Sequence, residues 1–180
     1  GTALANTTTL TNGNYFVEQT STTGVTTLGS GFSNSWGVAI QADGKILVAD
    51  TFNNAIKRMN ADGTGFVTLA SGFNRPMGIA IQTDGKIVVA DFNSSSIKRI
   101  NADGTGFVTL GSGFSNPRGV AIQADGKILV ADSFNNELKR MNADGTSIVT
   151  LYSGSSPKGV TVQADGKIVF TVGNAIIRMD

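Results

Sequence analysis

The stretch Gly37-Val38-Ala39-Ile40-Gln41-Ala42-Asp43-Gly44-Lys45-Ile46 decides how the chain folds, because it recurs. It returns from Gly78, from Gly119 and, altered, from Gly159, at intervals of 41, 41 and 40 residues. Residues 37–77 and 78–118 differ at 13 of 41 positions, a closeness that fits recent duplication or deliberate design. A period near 40 residues means that each unit is one supersecondary block, stable only when stacked on its neighbours.

Each period reads as four short strands. Val38–Gln41 is the first, and the pair Asp43-Gly44 leads to the second, Lys45–Ala49, with glycine supplying the positive φ of a primed turn. Ile56–Met59 is the third, and a second Asp-Gly pair, Asp62-Gly63, leads to the fourth, Phe66–Leu69. No window sustains a 3.6-residue apolar period, so no helix is expected. The first two strands contain continuous apolar runs, Val38-Ala39-Ile40 and Ile46-Leu47-Val48-Ala49, as required when both faces of a sheet are covered. The third mixes Ile56 with Lys57 and Arg58, which suits a rim. The cations Lys57-Arg58, Lys98-Arg99 and Lys139-Arg140 are expected to pair with carboxylates of the same sheets.

Four-stranded sheets covered on both faces and repeated in this way are blades of a β-propeller. The expected fold is therefore all-β, a propeller of four-stranded antiparallel blades, about four to five in number. Residues 1–180 read as a single propeller domain. Within it, 1–36 supply N-terminal closing strands (Ala3–Leu10, Asn14–Glu18 and Val25–Leu28), followed by repeats 37–77, 78–118, 119–158 and an incomplete 159–180. The last unit has no fourth strand. It is completed either by the N-terminal strands or by a strand of another subunit, the second route giving a homo-oligomeric ring or a filament.

Particular phrases carry a family resemblance. Pro76-Met77-Gly78-Ile79-Ala80-Ile81, Val89-Ala90-Asp91 and Ala49-Asp50-Thr51-Phe52-Asn53-Asn54-Ala55-Ile56 resemble NHL-repeat propellers. The run from Arg58 through Thr64 to Pro76-Met77-Gly78 is similar to the YWTD propellers of lipoprotein receptors, although Tyr-Trp-Thr-Asp itself is absent. The resemblance spans roughly residues 25–180 and implies the fold. For function it implies only a range that holds scaffolds, receptors, RNA binders and a few enzymes.

Composition narrows the chemistry. With 14 basic and 13 acidic side chains the net charge is +1, so neither a nucleic-acid nor a membrane partner is expected. There is no cysteine and no histidine, which removes disulfides, thiol catalysis and every Ser–His or Cys–His nucleophile system. Only two glutamates occur, Glu18 and Glu137, and no acid, base and nucleophile set emerges. The expectation is a protein that is not an enzyme, with no cofactor and no bound metal. The Thr, Ser, Asn and Gly content fits an extracellular or cell-surface microbial protein.

Comparison of the units within the chain separates frame from candidate site. The turns Gln41–Lys45 and Asn60–Thr64 barely change between units, whereas the loops on the opposite face diverge. Ahead of the four first-strand glycines stand Trp36, Met77, Arg118 and Lys158, one per unit, with Arg75, Phe52 and Phe134 in neighbouring loops. These seven are the candidate ligand-binding residues, since variable loops on a rigid scaffold are where such folds bind. Trp36 either stacks on a ligand, plugs the channel or packs on Phe32. Phe32, Phe73 and Phe114 read as inter-blade core, and Asp50, Asp91 and Asp132 as caps of their own turns. The leading functional reading is a binding or interaction scaffold for a protein, peptide or glycan. Behind it stand a self-assembling extracellular structural protein, an engineered repeat propeller without a natural ligand and, last, a metal-dependent lactonase-like enzyme.

Overall fold

The computed structural model describes residues 24–180, with the backbone of the short strands β1 (Asn6–Thr9) and β2 (Tyr15–Glu18). The chain divides into two compact units, Gly1–Ser30 and Gly31–Asp180. In the first, β1 and β2 form an antiparallel hairpin in which Asn6 faces Glu18 and Thr9 faces Tyr15. They fall within the expected strand segments 3–10 and 14–18, whose remaining residues lie outside the described ones. The third expected strand does not form: Val25–Leu28 is irregular and Val25 is exposed.

The second unit is a succession of four antiparallel sheets. The first blade is β3 (Ser35–Ile40), β4 (Ile46–Asp50), β5 (Ala55–Met59) and β6 (Val67–Ser71). The second is β7 (Pro76–Ile81), β8 (Ile87–Asp91), β9 (Ser96–Ile100) and β10 (Val108–Gly111). The third is β11 (Pro117–Ile122), β12 (Ile128–Asp132), β13 (Glu137–Met141) and β14 (Val149–Ser153). The fourth holds three strands, β15 (Pro157–Val162), β16 (Ile168–Val172) and β17 (Ala175–Met179). The first strands β3, β7, β11 and β15 follow one another around the axis. The described residues contain no α-helix, but single 3-10 turns occur at Thr51–Asn53 and Phe92–Ser94, where the exit loop tightens after the second strand.

Burial explains the continuous apolar runs. Every residue of β8 and of β12 is buried, because each is covered by a blade on either side. Alternate residues of β8 serve different neighbours. Ile87 and Val89 pack with Leu47, Ala49 and Phe73 toward the first blade, whereas Val88 and Ala90 pack with Val120, Ile128 and Val130 toward the third. Phe170 and Ile168 close the third interface against Leu129 and Leu138. The outward faces of the end blades differ. Val38 and Ile40 are 69% and 71% exposed on the first, while on the fourth Thr161 and Thr171 stand where the third has Ala121 and Ala131.

The turns differ in type from the expected primed hairpins. Gly44 has φ +82° and its N–H bonds the Gln41 carbonyl at 2.8 Å, but Asp43 is not in the left-handed region. A primed turn of the first type needs both central residues there; the observed form is a tight turn closed by one left-handed glycine. Asp43 accepts from the Lys45 N–H at 3.1 Å, which orders the loop without needing a positive φ of its own.

Candidate functional site

The first strand of each blade carries a one-residue bulge. In the second blade Pro76 faces Asp91 but Ile79 faces Val89, leaving Met77-Gly78 as the irregular pair. Corresponding bulges hold Trp36-Gly37, Arg118-Gly119 and Lys158-Gly159. A bulge re-aims its side chain away from the regular pleat. Here the four re-aimed side chains converge, with their glycines, on one cavity of about 170 Å³ at the variable end of the axis.

The glycines make that convergence possible. A Cβ on Gly78 would lie 2.5 Å from the Arg118 carbonyl oxygen and 2.9 Å from the Val120 nitrogen, and one on Gly119 would lie 2.5 Å from the Lys158 carbonyl oxygen. Only residues without a side chain let neighbouring first strands approach this closely. At Gly159 the nearest atom to such a Cβ is the Thr171 hydroxyl oxygen at 3.5 Å.

The cavity wall is apolar with two cations. Trp36 is 51% exposed, and Met77 is buried. The Arg118 guanidinium sits 5.8 Å from the Trp36 ring centre and 5.4 Å from that of Phe92, both within cation–π reach. Its Nε is inaccessible and, among the described residues, has no hydrogen-bond partner. Lys158 is exposed and, among the described residues, neither cation has a carboxylate partner.

The other candidates are distributed differently. Arg75 lies over the Phe52 ring at 4.8 Å, a pair of its own outside the cavity wall. Phe134 meets Phe92 edge-on at 5.9 Å and so touches the site through a residue that sequence comparison passed over. Phe92 takes the place held by Thr51 and Ser133, whose hydroxyls bond the Pro76 and Pro157 carbonyls at 2.8 and 2.5 Å. In the second blade an aromatic ring replaces that bond and is buried beside Arg118. The one-residue shift from Thr51-Phe52 to Phe92-Asn93 was the available signal.

The acidic and aromatic series are structural, but the aspartates do not cap the backbone of their own turns as expected. Asp50, Asp91 and Asp132 are fully buried, and each accepts the backbone N–H of the loop entering its blade, from Ser33 at 2.7 Å and from Asn74 and Ser115 at 2.6 Å. Lys98 and Lys139 pair with Asp91 and Asp132 at 2.6 Å. Burial opposes the charge of Lys139, but hydrogen bonds to Asp132 and Glu137 outweigh it and raise its pKa. Three others of the cation series depart from expectation: Lys57 bonds the Thr68 hydroxyl, and Arg58 and Arg99 donate to carbonyls of the next blade, Ala102 and Ala143. Phe73 and Phe114 are buried between blades, whereas Phe32, ahead of the first blade, is half-buried and meets Phe66 edge-on at 5.1 Å. Trp36 turns toward Arg118, and the partner of Phe32 is Phe66.

The opposite face carries the repeated turns and a second cavity of about 250 Å³, bordered by Gln41, Asp43, Ile81 and Gln82. Its carboxylates are held locally. Hydrogen bonds from Lys45, Lys86 and Lys127 lower the pKa of Asp43, Asp84 and Asp125. The Thr64, Thr105 and Thr146 hydroxyls do the same for Asp62, Asp103 and Asp144. Among the described residues no three acidic side chains gather in the manner of a metal site.

A family defined as a β-propeller domain of unknown function (DUF5122) matches residues 41–65 and 123–147. No curated protein matches. Among solved structures the chain is similar to virginiamycin B lyase from Staphylococcus aureus, at 23% identity and a TM-score of 0.67 over 82% of this chain and 52% of that one. It is also similar to a putative gluconolactonase, at 16% identity and a TM-score of 0.69 over 92% and 63%. A chain of a nidogen/laminin complex matches at 20% identity and a TM-score of 0.65 over 82% and 76%. At these identities the likeness is one of fold, and the chain spans about half the length of the lyase.

The expectation that the chain is not an enzyme is overturned by these similarities. Propellers that share its fold are a lyase and a putative lactonase. Lacking histidine and cysteine removes particular nucleophile systems, not catalysis as a class, and fold does not separate binders from enzymes.

Proposed function

Taking as premise that the chain is a β-propeller of the NHL and YWTD kind, we propose that it binds its ligand at the axial end of the variable face. Protein, peptide and glycan remain the ligand classes, and the nidogen/laminin similarity gives the protein class a precedent within the fold. One observation carries the reading. In a repeat whose turns barely vary, four residues that differ in chemistry from unit to unit occupy equivalent bulges and line a single cavity. Trp and Arg are enriched in binding hot spots and Met in interfaces generally, and here they wall a concave site.

The test is capture of the full chain on peptide and glycan arrays. Trp36→Ala and Met77→Ala should each abolish the signal from the spots that retain the parent chain. Thr83→Ala, on the opposite face, should leave it intact. Equal loss, or no loss, with all three variants removes the axial site from consideration.

A further inference from the structure

We infer that the axial cavity is selective for an apolar carboxylate, the group a peptide chain presents where it ends in an aliphatic residue. This deepens the binding reading above and rests on it. Trp36, Met77 and the glycine Cα atoms give the cavity an almost wholly carbon wall, to which Arg118 and Lys158 contribute their stems. Such a wall suits an aliphatic group and offers nothing to pair the ring of hydroxyls on a sugar.

The charged ends of the same two residues set the other half of the specificity. Arg118 and Lys158 bring two positive charges to one rim, and the wall brings no acidic side chain to neutralise them. The Arg118 guanidinium lies within cation–π reach of both the Trp36 and Phe92 rings, which restrains it before any ligand arrives. Its Nε is shut off from solvent and, among the described residues, has no hydrogen-bond partner. The terminal nitrogens of this planar group are the ones left to meet a ligand, and they match a carboxylate with two parallel hydrogen bonds. Lys158, on a flexible stem at the exposed edge, supplies a second charge without fixing direction. A cavity of about 170 Å³ is below the size of a site for an extended small molecule, and admits one side-chain-sized group with its charged end.

Trp36 is the only tryptophan, so its fluorescence reports this cavity alone. The full chain is titrated with N-acetyl-leucine, with its uncharged amide N-acetyl-leucinamide, and with glucuronate. Saturable change of the Trp36 emission with the carboxylate, about tenfold weaker binding of the amide and weaker binding of glucuronate are expected. Arg118→Gln should remove the preference for the acid over the amide, Arg118→Lys should restore part of it, and raised salt should weaken the acid alone. Equal binding of acid and amide overturns the carboxylate inference while leaving the axial site standing. Tighter binding of glucuronate than of N-acetyl-leucine overturns the apolar half. No saturable response to any probe, with far-UV dichroism unchanged, overturns the cavity as a site for this class.

Discussion

Replacing Gly78 with alanine tests the close approach of the first strands, and the chain supplies its own control. The new Cβ would lie 2.5 Å from the Arg118 carbonyl oxygen and 2.9 Å from the Val120 nitrogen. Ordinary contacts at such atoms begin near 3.4 Å, so β7 and β11 must part by roughly 1 Å. The obstructing atoms are backbone and cannot rotate away. Overpacking of this kind costs about 1–3 kcal/mol, and a backbone obstruction belongs at the upper end, so a loss of about 2–3 kcal/mol is expected. Gly159→Ala meets only the Thr171 hydroxyl oxygen at 3.5 Å and should cost less than about 0.5 kcal/mol. Urea unfolding followed by far-UV dichroism gives both values, with an unchanged slope showing that the midpoint shift is one of stability. Equal midpoints for the two variants would refute the idea that glycine is retained for inter-blade proximity. The same parting of strands should widen the axial cavity, so Gly78→Ala should also shift the Trp36 emission maximum.

Further outcomes follow from buried charge, aromatic packing and the turns. Asp132→Ala removes the acceptor of the Ser115 N–H and the buried partner of Lys139, which keeps Glu137 at 3.1 Å, so a loss of about 3 kcal/mol in urea unfolding, the lower end for breaking a buried pair, is expected. Phe73→Ala, which empties a buried site between the first two blades, should cost about 3–4 kcal/mol, and Phe32→Ala distinctly less. The raised pKa of Lys139 stabilises the fold fully below its unfolded value near ~10.4, so stability should fall as pH rises through and above that value, and fall less in Lys139→Met. Asp62, Asp103 and Asp144 have lowered pKa values, so their contribution is complete above ~4 and lost as pH drops below it. The triple variant Thr64→Val, Thr105→Val and Thr146→Val should flatten that acid limb of the thermal midpoint.

The sequence by itself determined the blade. The period of 41 residues, the Asp-Gly punctuation and the unbroken apolar runs are local, and each requires a short strand between turns whatever surrounds it. It also singled out Trp36, Met77, Arg118 and Lys158 as places where near-identical units diverge in chemistry. What those positions have in common was decided only in three dimensions. A bulge is a matter of register between two strands, and the meeting of four bulges at one axis depends on how blades rotate past one another. Turn type was settled in the same way, by backbone angles that an Asp-Gly pair leaves open. The setting of Arg118 near both Trp36 and Phe92 joins three different blades, residues 36, 92 and 118, and no spacing along the chain encodes it. Local patterns write themselves into the order of residues, whereas the chemistry of a site belongs to side chains that packing brings together from distant parts of the chain.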